Sequence, residues 1–282
     1  MNIRRLLLRT AAICTTLVVL AFLTVASIEV SHHLYDTPTV KAARAAARAC
    51  AMQNFGQDTV SIAGPNVVCF HSSIDDASAK RFLDLPVTDG SMMVLQSSGG
   101  LNEAALVMVD RIMAKHLVAV VDSKCLSACA NYLFPAAASK IVRDGGIVGF
   151  HGGLTDGPYT ISITLANSRS PLPTNDELQR DFTDYKSKTA TLLIRQARFY
   201  QKIGVNEDVI DKSPLKLYRS QFKFENSVWE YGPDTLRDKF GIKNILYFPT
   251  PDKAGLFGRV SSYLNSIHCK PDGTDVWFCK VA

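Results

Sequence analysis

The sequence contains no long run of lysine or arginine and no alternation of basic with aromatic residues, so its composition gives no support to nucleic-acid binding. It has no internal repeat and no low-complexity tract, which sets aside repeat architectures and compositional disorder. No second Cys/His cluster lies at metal-ligand spacing, and the adjacent His32 and His33 stand alone in a linker, so no metal is expected. No cofactor is expected either. What the chain does have is a hydrophobic fraction of 47% against 20% charged residues, the balance of a globular protein.

The 282 residues allow one large domain or two small ones and can bury a core without disulfides or metal. The formal charge of +5 is mild, and Arg4, Arg5 and Arg9 supply part of it. They precede an uncharged stretch, Ala11 to Ile28, which as a helix would be about 27 Å long, close to a bilayer's hydrocarbon core. Basic residues on the near side would keep the N-terminus in the cytoplasm and send the rest across. Small residues at Thr24, Ala26 and Ser27 permit cleavage, while the length of the run suits an uncleaved anchor; both readings stand. Residues 1–30 are therefore read as a signal peptide or inner-membrane anchor, and the chain from residue 31 onward as periplasmic or cell-envelope.

Cysteine usage agrees with export. Cys14 lies in the apolar run, leaving Cys50, Cys69, Cys125, Cys129, Cys269 and Cys279. An even number in an oxidising compartment suggests bridges, although spacing alone leaves the connectivity open and buried free thiols are the alternative. Local pairs are favoured. Cys269 and Cys279 flank a Pro-Asp-Gly-Thr turn, Cys125 and Cys129 stand at i and i+4, and Cys50 with Cys69 remains.

Residues 31–59 read as a linker followed by an Ala-rich helix, Lys41 to Gln53. Its Lys41, Arg44 and Arg48 form either a solvated face or a contact with anionic headgroups. From residue 60 to 250 short apolar runs alternate with helical patterns. Strands are expected at Val67–Phe70, Met92–Leu95, Leu117–Val121 and Ile147–Phe150. Helices are expected at Ala77–Leu85, Leu101–His116 and Ser127–Ala138. This alternation predicts an α/β fold with a mostly parallel sheet. A Gly/Ser/Pro/Asn-rich loop covers 152–173. A long helix comes next, with Thr174 and Asn175 as caps and Gly204 as its stop, and a short helix covers Glu207–Asp211. Residues 251–282 form a tail with a Cys-flanked hairpin.

Three stretches fall in a telling order: Leu95-Gln96-Ser97-Ser98-Gly99-Gly100, then Cys125-Leu126-Ser127-Ala128-Cys129, then Gly149-Phe150-His151. Ser127 and His151 are 24 apart, and Gly100 precedes Ser127 by 27. This order and spacing resemble the Clp protease proteolytic subunit and its crotonase-superfamily relatives, over roughly residues 60 to 246. The resemblance implies a repeated β-β-α spiral, a nucleophilic Ser127 and a catalytic His151. It also implies an oxyanion hole built from the amides of Gly100 and Ala128, a peptide or protein substrate, and homo-oligomers. A serine hydroxyl needs a neighbouring base to become a nucleophile, and charge developing on a carbonyl oxygen needs preorganised donors.

The third member of the triad departs from the family pattern. The position counted from Ile203-Gly204 is Ser213, so Asp211 is the best substitute and Asp208 a weaker one; Asp181 and Asp184 read as a solvated helix face. Ser98 stands where the family has proline, and Ala128 where it has methionine. The residues admit four readings. The first is an exported serine hydrolase acting as a peptidase; the second is a catalytically silent Clp-like binding or scaffold protein. A crotonase-type acyl-CoA enzyme is disfavoured by export, and a Ser–Lys dyad with Lys186 or Lys188 would need a neutral, buried lysine near Ser127.

Overall fold

A computed structural model describes residues 37–53, 59–150, 152–154, 175–210, 227–249, 267–271 and 276–281. The chain divides into two compact units, 1–42 and 43–282. Of the first, only the opening of helix α1 (Pro38–Gln53) is described, where the Val40 amide donates to the Thr37 hydroxyl at 3.3 Å. The expected apolar N-terminal segment lies outside the described residues. Among the described residues no helix is long and apolar enough to cross a membrane.

The second unit is α/β with a mostly parallel sheet. Its strands are β1 (Thr59–Gly64), β2 (Val67–His71), β3 (Met92–Ser97), β4 (Val118–Leu126), β5 (Ser139–Val142), β6 (Ile147–Gly149) and β8 (Ile245–Tyr247). The order is β1-β2-β3-β4-β5-β8; only β1 runs antiparallel to its neighbour. β4 is long enough to serve two partners. Its first half pairs with β5, and its second, from Lys124 to Leu126, pairs with β6.

Sheet residues alternate between two buried faces, which is why these strands read as continuous apolar runs. Phe70, Met93, Leu95, Ala119 and Val121 join one core with α2 (Asp76–Asp84) and α3 (Asn102–Ala114), through Phe82, Ala105, Met108 and Ile112. Cys69, Val94, Val120 and Ile141 form another with Ala43, Ala46, Ala47 and Cys50 of α1. That helix is thus a layer of the α/β unit from residue 43 on, and the Cys50–Cys69 disulfide staples it to β2. Arg44 stands 4.0 Å from Asp144, while Arg48 is exposed. His116, expected as the last residue of α3, lies past its end, exposed and bonded to Asp89 at 2.8 Å.

The helices start and stop on local chemistry. At the head of α2 the Ser78 amide donates to the Asp75 carboxylate and the Asp75 amide donates to the Ser78 hydroxyl, a reciprocal capping box. The long helix α5 (Asn175–Ile203) ends at Gly204, whose φ of +65° lets the Val205 amide reach back to the Tyr200 carbonyl. A 3-10 turn, Glu207–Ile210, comes directly after.

A second, antiparallel sheet has the order β7 (Ser227–Tyr231), β10 (Val276–Val281), β9 (Ile267–Pro271). The C-terminal hairpin strands β9 and β10 are joined by β7, which pairs with β10. Cys279 is disulfide-bonded and faces Cys269 in the register. The two sheets meet where Phe150 and Trp229 exchange amide–carbonyl bonds of 2.7 and 2.8 Å, inside an aromatic cluster with Tyr231 and Phe240.

Candidate active site

The sequence predicts a helix from Ser127, but the chain turns first. Ser127 has φ +54°, a left-handed conformation that costs a residue with a β-carbon about 1–2 kcal/mol. The turn is fixed at both ends. The Ser127 amide donates to the Gly149 carbonyl at 2.8 Å, and its carbonyl accepts from the Asn131 amide at 2.8 Å. A π-helical turn, Cys129–Leu133, begins two residues on, with the Phe134 amide reaching the Cys129 carbonyl, and runs into α4 (Phe134–Ala136). Such turns gather at functional sites. A disulfide joins Cys125 to Cys129, so Ser127 is the middle residue of a small covalent ring.

Gly99 and Gly100 pack against this turn. With φ +87° at Gly99, a β-carbon there would lie 2.5 Å from the Leu126 carbonyl oxygen, 2.6 Å from the Ser127 β-carbon and 2.9 Å from the Ala128 amide nitrogen. Only glycine permits that approach. At Gly100, with φ +146°, a β-carbon would overlap the Ile74 carbonyl. The Ile74 amide donates to Gly99 (2.8 Å) and the Leu101 amide donates to Ile74 (2.7 Å). Because the carbonyl and N–H of a trans peptide point to opposite sides, and the Gly99 carbonyl accepts from Ile74, the Gly100 amide faces away from Ile74. Among the described residues, no acceptor takes the amide of Gly100 or of Ala128. Ser97, buried and level with Cys125 in the ladder, accepts from the Gly99 amide at 3.1 Å and props the glycine turn.

His151 and Asp211 lie outside the described residues, as do most of loop 152–173 and residues 181 and 184 as side chains. Their neighbours are placed. On one side of His151, Phe150 is locked to Trp229; on the other, the Gly152 carbonyl accepts from the buried Asn131 side-chain amide at 3.0 Å. The Gly153 amide donates to the Ile210 carbonyl at 3.1 Å, and Ile210 is the residue before Asp211. Asp208 is exposed, and its carboxylate accepts from the Asn206 side-chain amide at 3.3 Å.

The Ser–Lys reading finds no support among the described residues. Lys188 is exposed, and the side chain of Lys186 is outside the described residues. Lys140 is buried, and burial lowers its pKa to about 8. Its register partner is Ala119, however, which places it about 23 Å from Leu126 along β4, at the opposite end of the sheet. Its ammonium donates to the Ala137 carbonyl at 2.7 Å.

Three groups had no local signal in the sequence. Asn131 sits one turn beyond Ser127; besides holding Gly152 it receives the Tyr200 hydroxyl on its carbonyl, and its own side-chain oxygen is buried with no partner among the described residues. Tyr132 donates to Gln196, which donates to Glu207, so the 3-10 turn is tied to the same π turn. Burial, and then the Glu207 charge, raise the Tyr132 pKa, so it stays a neutral donor. Glu230, wholly buried at the junction of the two sheets, accepts from the Val148 amide at 2.8 Å, and burial raises its pKa to about 8.

Among the described residues no group of three or more His, Cys, Asp and Glu side chains could hold a metal ion. The sequence matches no protein-family model and no curated protein.

Proposed function

We propose that this chain is an exported serine hydrolase of the Clp protease and crotonase type, acting as a peptidase, with Ser127 as nucleophile and His151 as general base. One observation carries the reading: a serine held in a left-handed turn at the end of a parallel strand, with a diglycine turn seated against the following amide. A strained strand-to-helix turn of this kind lifts a hydroxyl out of the backbone's way. The amides of Gly100 and Ala128, which meet no acceptor among the described residues, suit the negative charge that forms on a carbonyl oxygen under attack.

In this mechanism His151 takes the Ser127 proton as the hydroxyl adds to the carbonyl carbon. It returns the proton to the leaving amine as the tetrahedral intermediate collapses. Water then repeats the cycle on the acyl-enzyme. Asp211 is assigned to orient the imidazole, supported by the Gly153–Ile210 bond that ties the chain after His151 to the chain before Asp211. Export is supported by the disulfides, which persist in oxidising compartments, together with the basic and apolar N-terminal pattern. Residues 1–30 would then anchor the chain in the inner membrane or be cleaved, and self-association rests on analogy with the family.

The test is covalent labelling of the full chain, produced under oxidising conditions, with a fluorophosphonate. Labelling that disappears in Ser127→Ala and falls at least hundredfold in His151→Ala supports the hydrolase. A folded parent that does not label overturns it in favour of a silent binding domain of the same fold.

A further inference from the structure

We infer that the Cys125–Cys129 disulfide is the positioning element of the nucleophile turn, so that the site is complete only after this bridge has formed. The inference rests on the hydrolase reading for its catalytic consequence, but not for its structural one. The Ser127–Ala138 stretch is rich in small residues and by local preference would run helical from Ser127 onward. That relaxed alternative has negative φ at Ser127, and it would carry the Ala128 amide away from Gly99.

The bridge opposes it. Cys125 is anchored on β4 between Ser97 and Val148, and Cys129 is the first residue of the π turn. Their Cα atoms are 5.1 Å apart; a helical path over these residues would be as short, about 6 Å, but Cys125 and Leu126 are held extended in the β4 ladder, and an extended path would reach about 13 Å. Three residues, Leu126, Ser127 and Ala128, must therefore reverse direction within the ring, and the left-handed step at Ser127 is where they do so. Among the described residues the other restraints on the turn are the hydrogen bonds with Gly149 and Asn131 and the contact of Gly99, all non-covalent.

Both sulfurs belong to residues that are completely buried in the main core. Reduction needs a dithiol, which supplies two electrons and two protons, leaves as its own disulfide and yields the Cys125 and Cys129 thiols. Because no reductant reaches the folded core directly, the redox environment in which the chain folds decides the state. A chain folded where dithiols prevail has an incomplete site; one folded in an oxidising compartment has a complete one. The Cys50–Cys69 bridge, on the other face of the sheet, provides the control, since it touches neither the serine turn nor the diglycine turn.

The experiment uses three full-length proteins: the parent, Cys125→Ala/Cys129→Ala and Cys50→Ala/Cys69→Ala. Hydrogen exchange of the Ser127 and Asn131 amides is followed together with the fluorophosphonate labelling rate. Because Cys279 is itself disulfide-bonded, a fourth chain, Cys50→Ala/Cys69→Ala with Cys269→Ala/Cys279→Ala added, is folded with and without excess dithiothreitol, which opens the nucleophile-turn bridge without altering core volume. Opening or deleting that bridge is expected to speed exchange of those two amides at least tenfold. Met93 and Val120 amides on the central strands should remain protected, and labelling should slow by a similar factor. The Cys50→Ala/Cys69→Ala chain, oxidised, should match the parent in both. Unchanged exchange at Ser127 and Asn131 overturns the inference even if the parent never labels. Changed exchange in a parent that never labels upholds it while overturning the hydrolase.

Discussion

Gly99 lies so close to Ser127 that a β-carbon on the glycine would stand 2.6 Å from the serine's own. Two segments that are distant in sequence thus meet with no room for a side chain between them, and the Ala128 amide opens beside that contact.

Gly99→Ala should damage the site more than the fold. The added methyl meets backbone at Leu126 and Ala128 and occupies a φ of +87°. Displacing one oxyanion donor costs about a hundredfold to a thousandfold in rate. Labelling kinetics should fall by that order while the chain still unfolds cooperatively. A labelling rate within threefold of the parent would remove Gly99 from the account.

Asn131 should behave as a positioning residue. Replacing it with Leu leaves the Gly152 carbonyl without its buried donor, which costs about 1–3 kcal/mol. Because the lost bond holds the residue after His151, labelling should fall at every pH in Asn131→Leu. Asn131→Asp keeps the shape but exchanges the donor for an acceptor, and its labelling relative to the parent at the same pH should recover as pH is lowered towards protonation of the new carboxyl. A flat pH response in that variant would leave Asn131 a packing residue only.

Glu230 ties stability to pH. Its folded-state pKa, raised by burial from the ordinary 4.5 to about 8, means that the folded protein holds a proton the unfolded chain has released. The stability so gained is fully present below about pH 4.5 and is lost progressively as pH rises from there to 8. In Glu230→Gln, which keeps an acceptor for Val148, the decline in melting temperature between pH 5 and 8 should flatten. An unaltered slope would show that another group carries it.

Lys140 acts with the opposite sign. Its folded pKa, lowered by burial to about 8 from 10.5, means that the unfolded chain takes up the proton first. Stability therefore rises as pH increases from 8 to 10.5, when the buried amine is neutral in the fold and charged outside it. Lys140→Met should remove this rise in the melting temperature; its persistence would exonerate Lys140.

Deleting the Cys50–Cys69 bridge, which closes a separation of 19 residues, should cost about 3 kcal/mol by the chain-entropy estimate. Denaturant unfolding measures this directly. A loss below about 1 kcal/mol would mean that burial of Ala43, Ala46 and Ala47 holds the helix to the sheet without help.

Much of the architecture is legible in the sequence because it depends on short-range patterns. Apolar runs at 67–70, 92–95 and 147–150, separated by a helical stripe of Ala105, Met108 and Ile112, suffice to predict strands covered by helices and hence a parallel sheet. The local cysteine pair 125 and 129 is likewise visible as i and i+4. Strands β1, β5, β7 and β8 carry no such signal, because they are short or weakly apolar and owe their pairing to neighbours already in place.

Sequence by itself determined which residues could serve as nucleophile and amide donors, since a Gly-Gly pair and a Ser at a strand end carry their chemistry in their identity and order. Only the tertiary structure decided that Ser127 is left-handed, that Gly99 is wedged against Ala128, and that Asn131 holds Gly152. The last two are contacts between segments well separated along the chain. No local propensity encodes them, because each exists only when a crossover returns the chain to the same end of the sheet. The left-handed turn even runs against local preference, and it survives because a disulfide, two amide bonds and a glycine contact together outweigh about 1–2 kcal/mol of strain.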